Sequence, residues 1–217
     1  MNFTVLERTF EIAAVSFAAL SGVVDARRKN LDLVGAYVVG LVTAFGGGTL
    51  RDVLLDRRPL FWVARPEYPL IVLALSVLHL YSPSALRPLR ERRVQALADG
   101  LDAVALGLFG GLGAQAALDL DTPPFVAVLF GVMTGAFGGV LRDVVLNEVP
   151  TLFRPTTQLY ATTVFAGGLV HVGLIELGAT PSTALTTGAL VTIVFRTAAV
   201  RFNWKLPDAR SPGEEGS

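Results

Sequence analysis

Cysteine is missing from all 217 residues, so the chain can form no disulfide and can offer no thiolate to a metal. Histidine occurs only twice, at His79 and His171. Neither sits in an HExxH or similar metal-ligand spacing, and neither has a nucleophile pattern beside it, so an enzyme is the least favoured class and no metal or cofactor is expected. Charge is also scarce. Asp, Glu, Lys and Arg make up 17% of the chain, where a soluble domain carries about 25%. The start has Glu7 and Arg8 in place of a basic leader, and no small-residue cleavage site follows, so the first apolar stretch is expected to be a retained span.

What is abundant fits a bilayer. Apolar residues reach 52% and glycines number 22, a residue more common in membrane helices than in soluble ones. A helix needs roughly 20 residues to cross the hydrocarbon, and seven apolar blocks answer: Phe10–Ala26, Leu33–Leu55, Tyr68–Tyr81, Val94–Leu118, Phe125–Leu146, Thr157–Leu177 and Ser182–Phe202. The expected fold is all-α and polytopic, one transmembrane domain over residues 1–205. Residues 206–217, rich in Pro, Gly, Glu and Ser, read as a disordered tail.

The chain also repeats itself. Shifted by 91 positions, residues 40–59 fall on residues 131–150 without a gap, and ten of the twenty pairs are identical, among them Thr43/Thr134, Gly47/Gly138, Gly48/Gly139, Arg51/Arg142 and Asp52/Asp143. The same offset places Glu11 on Asp102 and Gly22 on Gly113. Each copy holds three spans, so the second copy enters the membrane from the opposite side. The architecture is therefore a 3+3 inverted repeat (residues 10–81 and 94–177) with a seventh helix at 182–203, and such repeats place substrate or ion paths at their shared interface.

Lysines and arginines set the orientation. One side collects Arg27, Arg28, Lys29, Arg87, Arg90, Arg92, Arg93, Arg154, Arg201, Lys205 and Arg210, while the other has Arg8, Arg57, Arg58 and Arg65. This predicts an amino terminus outside and a carboxyl terminus in the cytoplasm, with the Arg57–Arg65 group running against the rule. The Arg27-Arg28-Lys29 cluster is a topology signal with anionic lipid as a further partner.

Gly46, Gly47 and Gly48 each cost a helix about 1 kcal/mol relative to alanine. One reading is a kink that turns backbone carbonyls toward a cavity and a partly dehydrated cation. The other is close helix packing through small residues. The adjoining Arg51-Asp52 and Arg142-Asp143 favour the first, because an ionisable group at mid-membrane costs at least ~2.5–3.5 kcal/mol and is usually paired or faces a cavity. Arg51 lies about 27 Å along its span at ~1.5 Å per residue, so a snorkelling interfacial arginine is the alternative. Neighbouring side chains on a helix diverge by about 100°. A crossed arrangement is therefore expected, with Arg51 facing Asp143 and Arg142 facing Asp52, or with each pair bridged by water near the axis.

Glu11 and Asp102 read either as vestibule carboxylates that gather cations or as helix-start acids. Thr43 and Thr134 could offer hydroxyls to an ion or bond their own helix. His79, His171 and Arg196 read as interfacial or packing residues.

Phe-Gly-Gly-Gly-Thr-Leu-Arg-Asp at 45–52 and Phe-Gly-Gly-Val-Leu-Arg-Asp at 137–143 resemble the paired signature of the bacterial trimeric intracellular cation (TRIC) channels, a branch also catalogued as glycine-transporter-domain membrane proteins. The resemblance spans about residues 10–203. It implies a homotrimer in the bacterial plasma membrane, each protomer with its own pore between kinked helices two and five, passing potassium and some sodium. By matching position, the pore would be lined by Gly46, Gly47, Gly48, Arg51, Asp52, Gly138, Gly139, Arg142 and Asp143. Val140 follows only two glycines, which implies a weaker kink in the second copy. The Lys-Glu-Val lipid motif of animal relatives has no match near Gln115, so phosphoinositide control is not implied. A secondary transporter of a small zwitterion such as glycine stays open beside the channel, since inverted repeats suit alternating access equally. So does a scaffold whose glycines serve packing alone.

Overall fold

The computed structural model describes residues 3–81, 91–154 and 159–205. Arg87, Arg90, Arg210, the start of the sixth predicted span and the tail from 206 lie outside these, as do the side chains of His79 and Arg92. The described residues form seven α-helices and one 3-10 turn (Thr151–Phe153): α1 Phe3–Arg28, α2 Leu33–Leu54, α3 Glu67–Tyr81, α4 Glu91–Leu118, α5 Pro124–Val145, α6 Ala161–Glu176 and α7 Pro181–Arg201. Helices α1, α2, α5 and α7, with Ala96–Leu118 of α4, are long and apolar enough to cross a membrane. The third helix of each half is short, 15 residues in α3 and 16 in α6.

Two boundaries depart from the predicted spans by four residues or more. Helix α1 begins at Phe3, seven residues before Phe10, because hydropathy marks bilayer depth and a helix can run on into polar surroundings; there Arg8 pairs with Glu67 at 3.1 Å. Helix α6 starts at Ala161, not Thr157, because Leu159 is tied to the end of α7: its N–H donates to the Trp204 carbonyl at 3.0 Å.

The helix ends follow local chemistry. Asp32 caps α2 by accepting the Gly35 N–H at 2.7 Å. Six helix exits turn through left-handed residues, Asn30, Asp56, Asp121, Asn147, Gly178 and Asn203, the types that tolerate positive φ best. Asp56 and Asn147 are matched by the 91-residue offset. The N–H groups that follow them, of Arg57 and Glu148, bond back to the Asp52 and Asp143 carbonyls at 2.8 Å each.

Packing reproduces the duplication. Helix α1 lies against α2 and α3, as α4 lies against α5 and α6; α1–α4 and α2–α5 join the halves, and α7 covers α4 and α6. Lipid gives little hydrophobic drive between helices, so small residues carry the close approach. Ala14, Ala18 and Ala19 of α1 and Ala105 of α4 sit in the central cluster. A β-carbon on Gly22 would strike Thr43, and one on Gly113 would strike Thr134, the same contact in each half.

Candidate functional site

The predicted pore residues lie on α2 and α5, with Glu11 on α1 and Asp102 on α4, and they split into three places. At the centre, α2 and α5 touch backbone to backbone. A β-carbon on Gly47 would run into the Thr134 carbonyl, and one on Gly138 into the Thr43 carbonyl. The later residue of one helix meets the earlier residue of the other, so the helices cross antiparallel about a local twofold, as an inverted repeat requires. Both helices run unbroken through their glycines. The missing side chains there serve close packing. The Thr43 and Thr134 hydroxyls donate to the Val39 and Phe130 carbonyls of their own helices, at 2.6 Å each. The flanking glycines make room for side chains: Gly46 for Leu141, Gly48 for the Phe61 ring, Gly139 for the Tyr160 hydroxyl.

The Arg-Asp pairs lie one turn beyond the crossing, in opposite directions. Each arginine is about six residues from its centre, which separates the two by about 18 Å along the axis at ~1.5 Å per residue. The crossed pairing is therefore wrong. Arg51 pairs with its own neighbour: Nε donates to Asp52 Oδ1 at 2.8 Å and the terminal nitrogen lies 2.7 Å from the same oxygen. Arg142 does the same with Asp143, at 2.9 Å for both contacts. The 100° divergence of adjacent side chains is overcome by the length of arginine, which folds back across the helix surface. All four residues are buried in the protein, which also excludes a lipid-facing, snorkelling Arg51.

Each aspartate uses its second oxygen to hold the loop after its helix. Asp52 Oδ2 accepts the Phe61 N–H at 2.8 Å; Asp143 Oδ2 accepts the Thr151 N–H at 2.7 Å and the Thr151 hydroxyl at 2.9 Å. Phe61 then stacks its ring 5.4 Å from the Arg51 guanidinium. Glu11 and Asp102 stand at matched places beside these pairs, each hydrogen-bonded by a tyrosine: Tyr68 to Glu11 at 2.7 Å, Tyr160 to Asp102.

The second half carries an addition. Arg142 also lies 3.4 Å from Asp102, 3.4 Å from Asp25 and 3.1 Å from the Ser21 hydroxyl, so one guanidinium ties α1, α4 and α5 together. Asp25 falls on Ala116 in the offset, so the repeat gives no hint of it. Ser21 escapes for the same reason, and Tyr160 because it stands one position from the match to Tyr68. A polar pocket of about 130 Å³ opens here, lined by Asp25, Asp99, Arg142, Asp143 and Thr151. Its rim is Glu148, bridged by Lys29 at 2.6 Å and Arg154 at 3.0 Å. The Lys29 hydrogen bond, opposed in part by burial and helped by Arg154, holds the Glu148 carboxyl below the usual range. Arg28 pairs with Asp25 at 3.0 Å, so two residues of the basic cluster already engage carboxylates of this chain. His171 and Arg196 are buried, His171 against Gln115 at 3.0 Å, so both pack within the protein. Among the described residues, no three His, Asp or Glu converge as a metal site would need.

A family model described as Glycine transporter matches residues 8–83 and, a second time, residues 100–176. The trimeric intracellular cation channel orthologue from Rhodobacter sphaeroides superposes with a TM-score of 0.82 at 32% identity, over 91% of this chain and 98% of that one. This chain belongs to the bacterial TRIC family. A prokaryotic TRIC channel crystallised in 0.5 M KCl gives a TM-score of 0.85 at 25% identity, over 94% of this TRIC-family chain and all of that one. The inner membrane protein YadS of Escherichia coli is 38% identical over 91% of this chain and 93% of its own. The TRIC fold, the inverted repeat and a multi-pass membrane location thus stand together, and the solved homologues are channels rather than enzymes.

Proposed function

We propose that this protein is a monovalent cation channel, chiefly for potassium, with one permeation path inside each protomer between α2 and α5 and three protomers to the assembly. One observation carries the reading. Two buried Arg-Asp pairs flank an antiparallel Gly/Thr crossing from opposite ends, in a chain homologous to solved TRIC cation channels. Charge is kept inside a membrane protein at a cost, and usually where a polar path runs. On this reading Thr43, Gly46, Gly47, Thr134 and Gly138 form the narrow middle, with Gly48, Arg51 and Asp52 toward one mouth and Gly139, Arg142 and Asp143 toward the other. Glu11 and Asp102 raise the local cation concentration. Gly47 and Gly138 leave no space between the helices, so conduction requires α2 and α5 to part at the crossing. On this reading the pocket beside Arg142 faces the cytoplasm and the amino terminus lies outside, an orientation that the basic loops support. Anionic headgroups meet Arg27, Arg28 and Lys29 at that rim.

The match to a model described as Glycine transporter favours a second reading, a carrier for a small zwitterion. Purified protein in planar bilayers with symmetric KCl separates the two. Unitary currents carrying many ions per opening, with a cation-selective reversal potential, are expected of the channel. Saturable glycine uptake into liposomes without such currents would replace it with the carrier.

A further inference from the structure

The seventh helix has no counterpart in the repeat, yet it reaches the second Arg-Asp site and not the first. Arg196, near the end of α7, is 3% exposed and lies with its guanidinium 4.9 Å from the centre of the Tyr160 ring. Its terminal nitrogen donates to the Leu159 carbonyl at 3.2 Å, while the Leu159 N–H donates to Trp204 just past α7. Both backbone groups of Leu159 are thus held from α7, and Tyr160 is fixed from below by the same arginine. The Tyr160 hydroxyl reaches Asp102, in the space left open by Gly139, and Asp102 meets Arg142. The chain of contacts runs Arg196, Tyr160, Asp102, Arg142, Asp143 and joins α7, the residue that precedes α6, α4 and α5. In the first half Tyr68 makes the matching bond to Glu11, and the repeat has no helix equivalent to α7 to brace it.

We propose that Arg196 is a positioning residue: through Tyr160 and Asp102, α7 sets the pose of the Arg142 guanidinium and so the shape of one mouth of the ion path. The part concerning the mouth rests on the channel reading above; the mechanical linkage does not. Cation–π contact with a desolvated ring strengthens this brace. Because the brace serves one half only, the two mouths of an otherwise matched path become unequal.

The absence of cysteine supplies the test. Ser21, fully buried against Arg142 and Ala98, accepts the near-isosteric change Ser21→Cys. Its labelling by a small water-soluble methanethiosulfonate reports how firmly the Arg142 cluster is closed. Labelling is expected to rise about tenfold, as a local opening becomes easier, when Arg196→Met or Tyr160→Phe is added. The combination of both should label no faster than the faster of the two. Arg196→Lys, which keeps a cation on the ring, should stay near the parent rate. In bilayers, Arg196→Met should also change the unitary potassium conductance. Equal labelling in all variants overturns the linkage, as does an effect of Arg196→Met that Tyr160→Phe fails to share. If Arg196→Met does not fold, Tyr160→Phe alone decides. If labelling shifts but the parent protein passes no current, the linkage stands and the channel reading falls.

Discussion

Asp52 is the one carboxylate in salt-bridge range of Arg51 among the described residues, whereas Arg142 retains Asp102 and Asp25 when Asp143 is taken away. Equal substitutions should therefore have unequal effects. Asp52→Asn strands a buried guanidinium and is expected to cost about 3–5 kcal/mol. Asp143→Asn loses hydrogen bonds to Thr151 but leaves a paired arginine, costing about 1–3 kcal/mol. Thermal unfolding in one detergent checks the order; in a chain of this size each kcal/mol moves the midpoint by roughly 2–4 °C. A larger drop for Asp143→Asn would refute the assignment. The neighbour pairing makes a second demand. Combining Arg51→Asp with Asp143→Arg should leave the protein as damaged as the two single changes added together, since the sites are independent. Arg51→Asp with Asp52→Arg should recover part of the loss. At this scale the repeat made the arginines, aspartates and glycines legible in the sequence. It did not show their partners, because a helical wheel records where a Cβ points and not how far an arginine can fold back. Asp25, which has no repeat mate, left no trace at all.

Among the helices, the glycines of α2, α4, α5 and α6 divide into those that touch something and those that do not. Gly47 and Gly138 meet backbone carbonyls that cannot move aside, so Gly47→Ala and Gly138→Ala should each destabilise by about 1–3 kcal/mol, and by similar amounts given their equivalence. Gly100 and Gly173 have open space where a β-carbon would go. Alanine at either should stabilise its helix by about 0.5–1 kcal/mol, and the same melting series reads all four. A pH dependence belongs to the loop between α5 and the 3-10 turn. Folding depresses the Glu148 pKa. Its contribution is thus complete above the unfolded carboxylate value of about 4.3, and it disappears as pH falls through the lower folded value. Stability should decline with acid in that window, and Glu148→Gln should flatten the decline; the groups are part-exposed, so the effect is small. A Glu148→Gln profile as steep as the parent's would discount the Lys29–Glu148 bridge. Helix number and order were legible because apolar runs of some twenty residues are hard to mistake. The start of α6 was not, since it is set by a tertiary tie from Leu159 to Trp204.

For the molecule as a whole, one geometry decides between packing glycines and a path that opens. As described, α2 and α5 are in contact at their crossing, and the inverted repeat puts that contact on the local twofold that relates the two halves. The sequence revealed the duplication and its inversion, because an odd number of spans per copy allows nothing else. It could not reveal that the crossing is closely packed, since a glycine at a kink and a glycine at a close contact read alike. A staple across the crossing distinguishes a static contact from a gate. A β-carbon placed on Gly46 lies 3.7 Å from that of Leu141, within the ~3.5–4.5 Å that a disulfide spans. In a chain with no other cysteine, Gly46→Cys with Leu141→Cys should oxidise to one defined bond. If α2 and α5 must part for ions to pass, oxidation should abolish potassium currents in bilayers and a reductant should restore them, while either single variant is indifferent to both treatments. If currents persist with the bond shown to be formed, the ions pass elsewhere, and the glycines at the crossing serve only to bring two helices together.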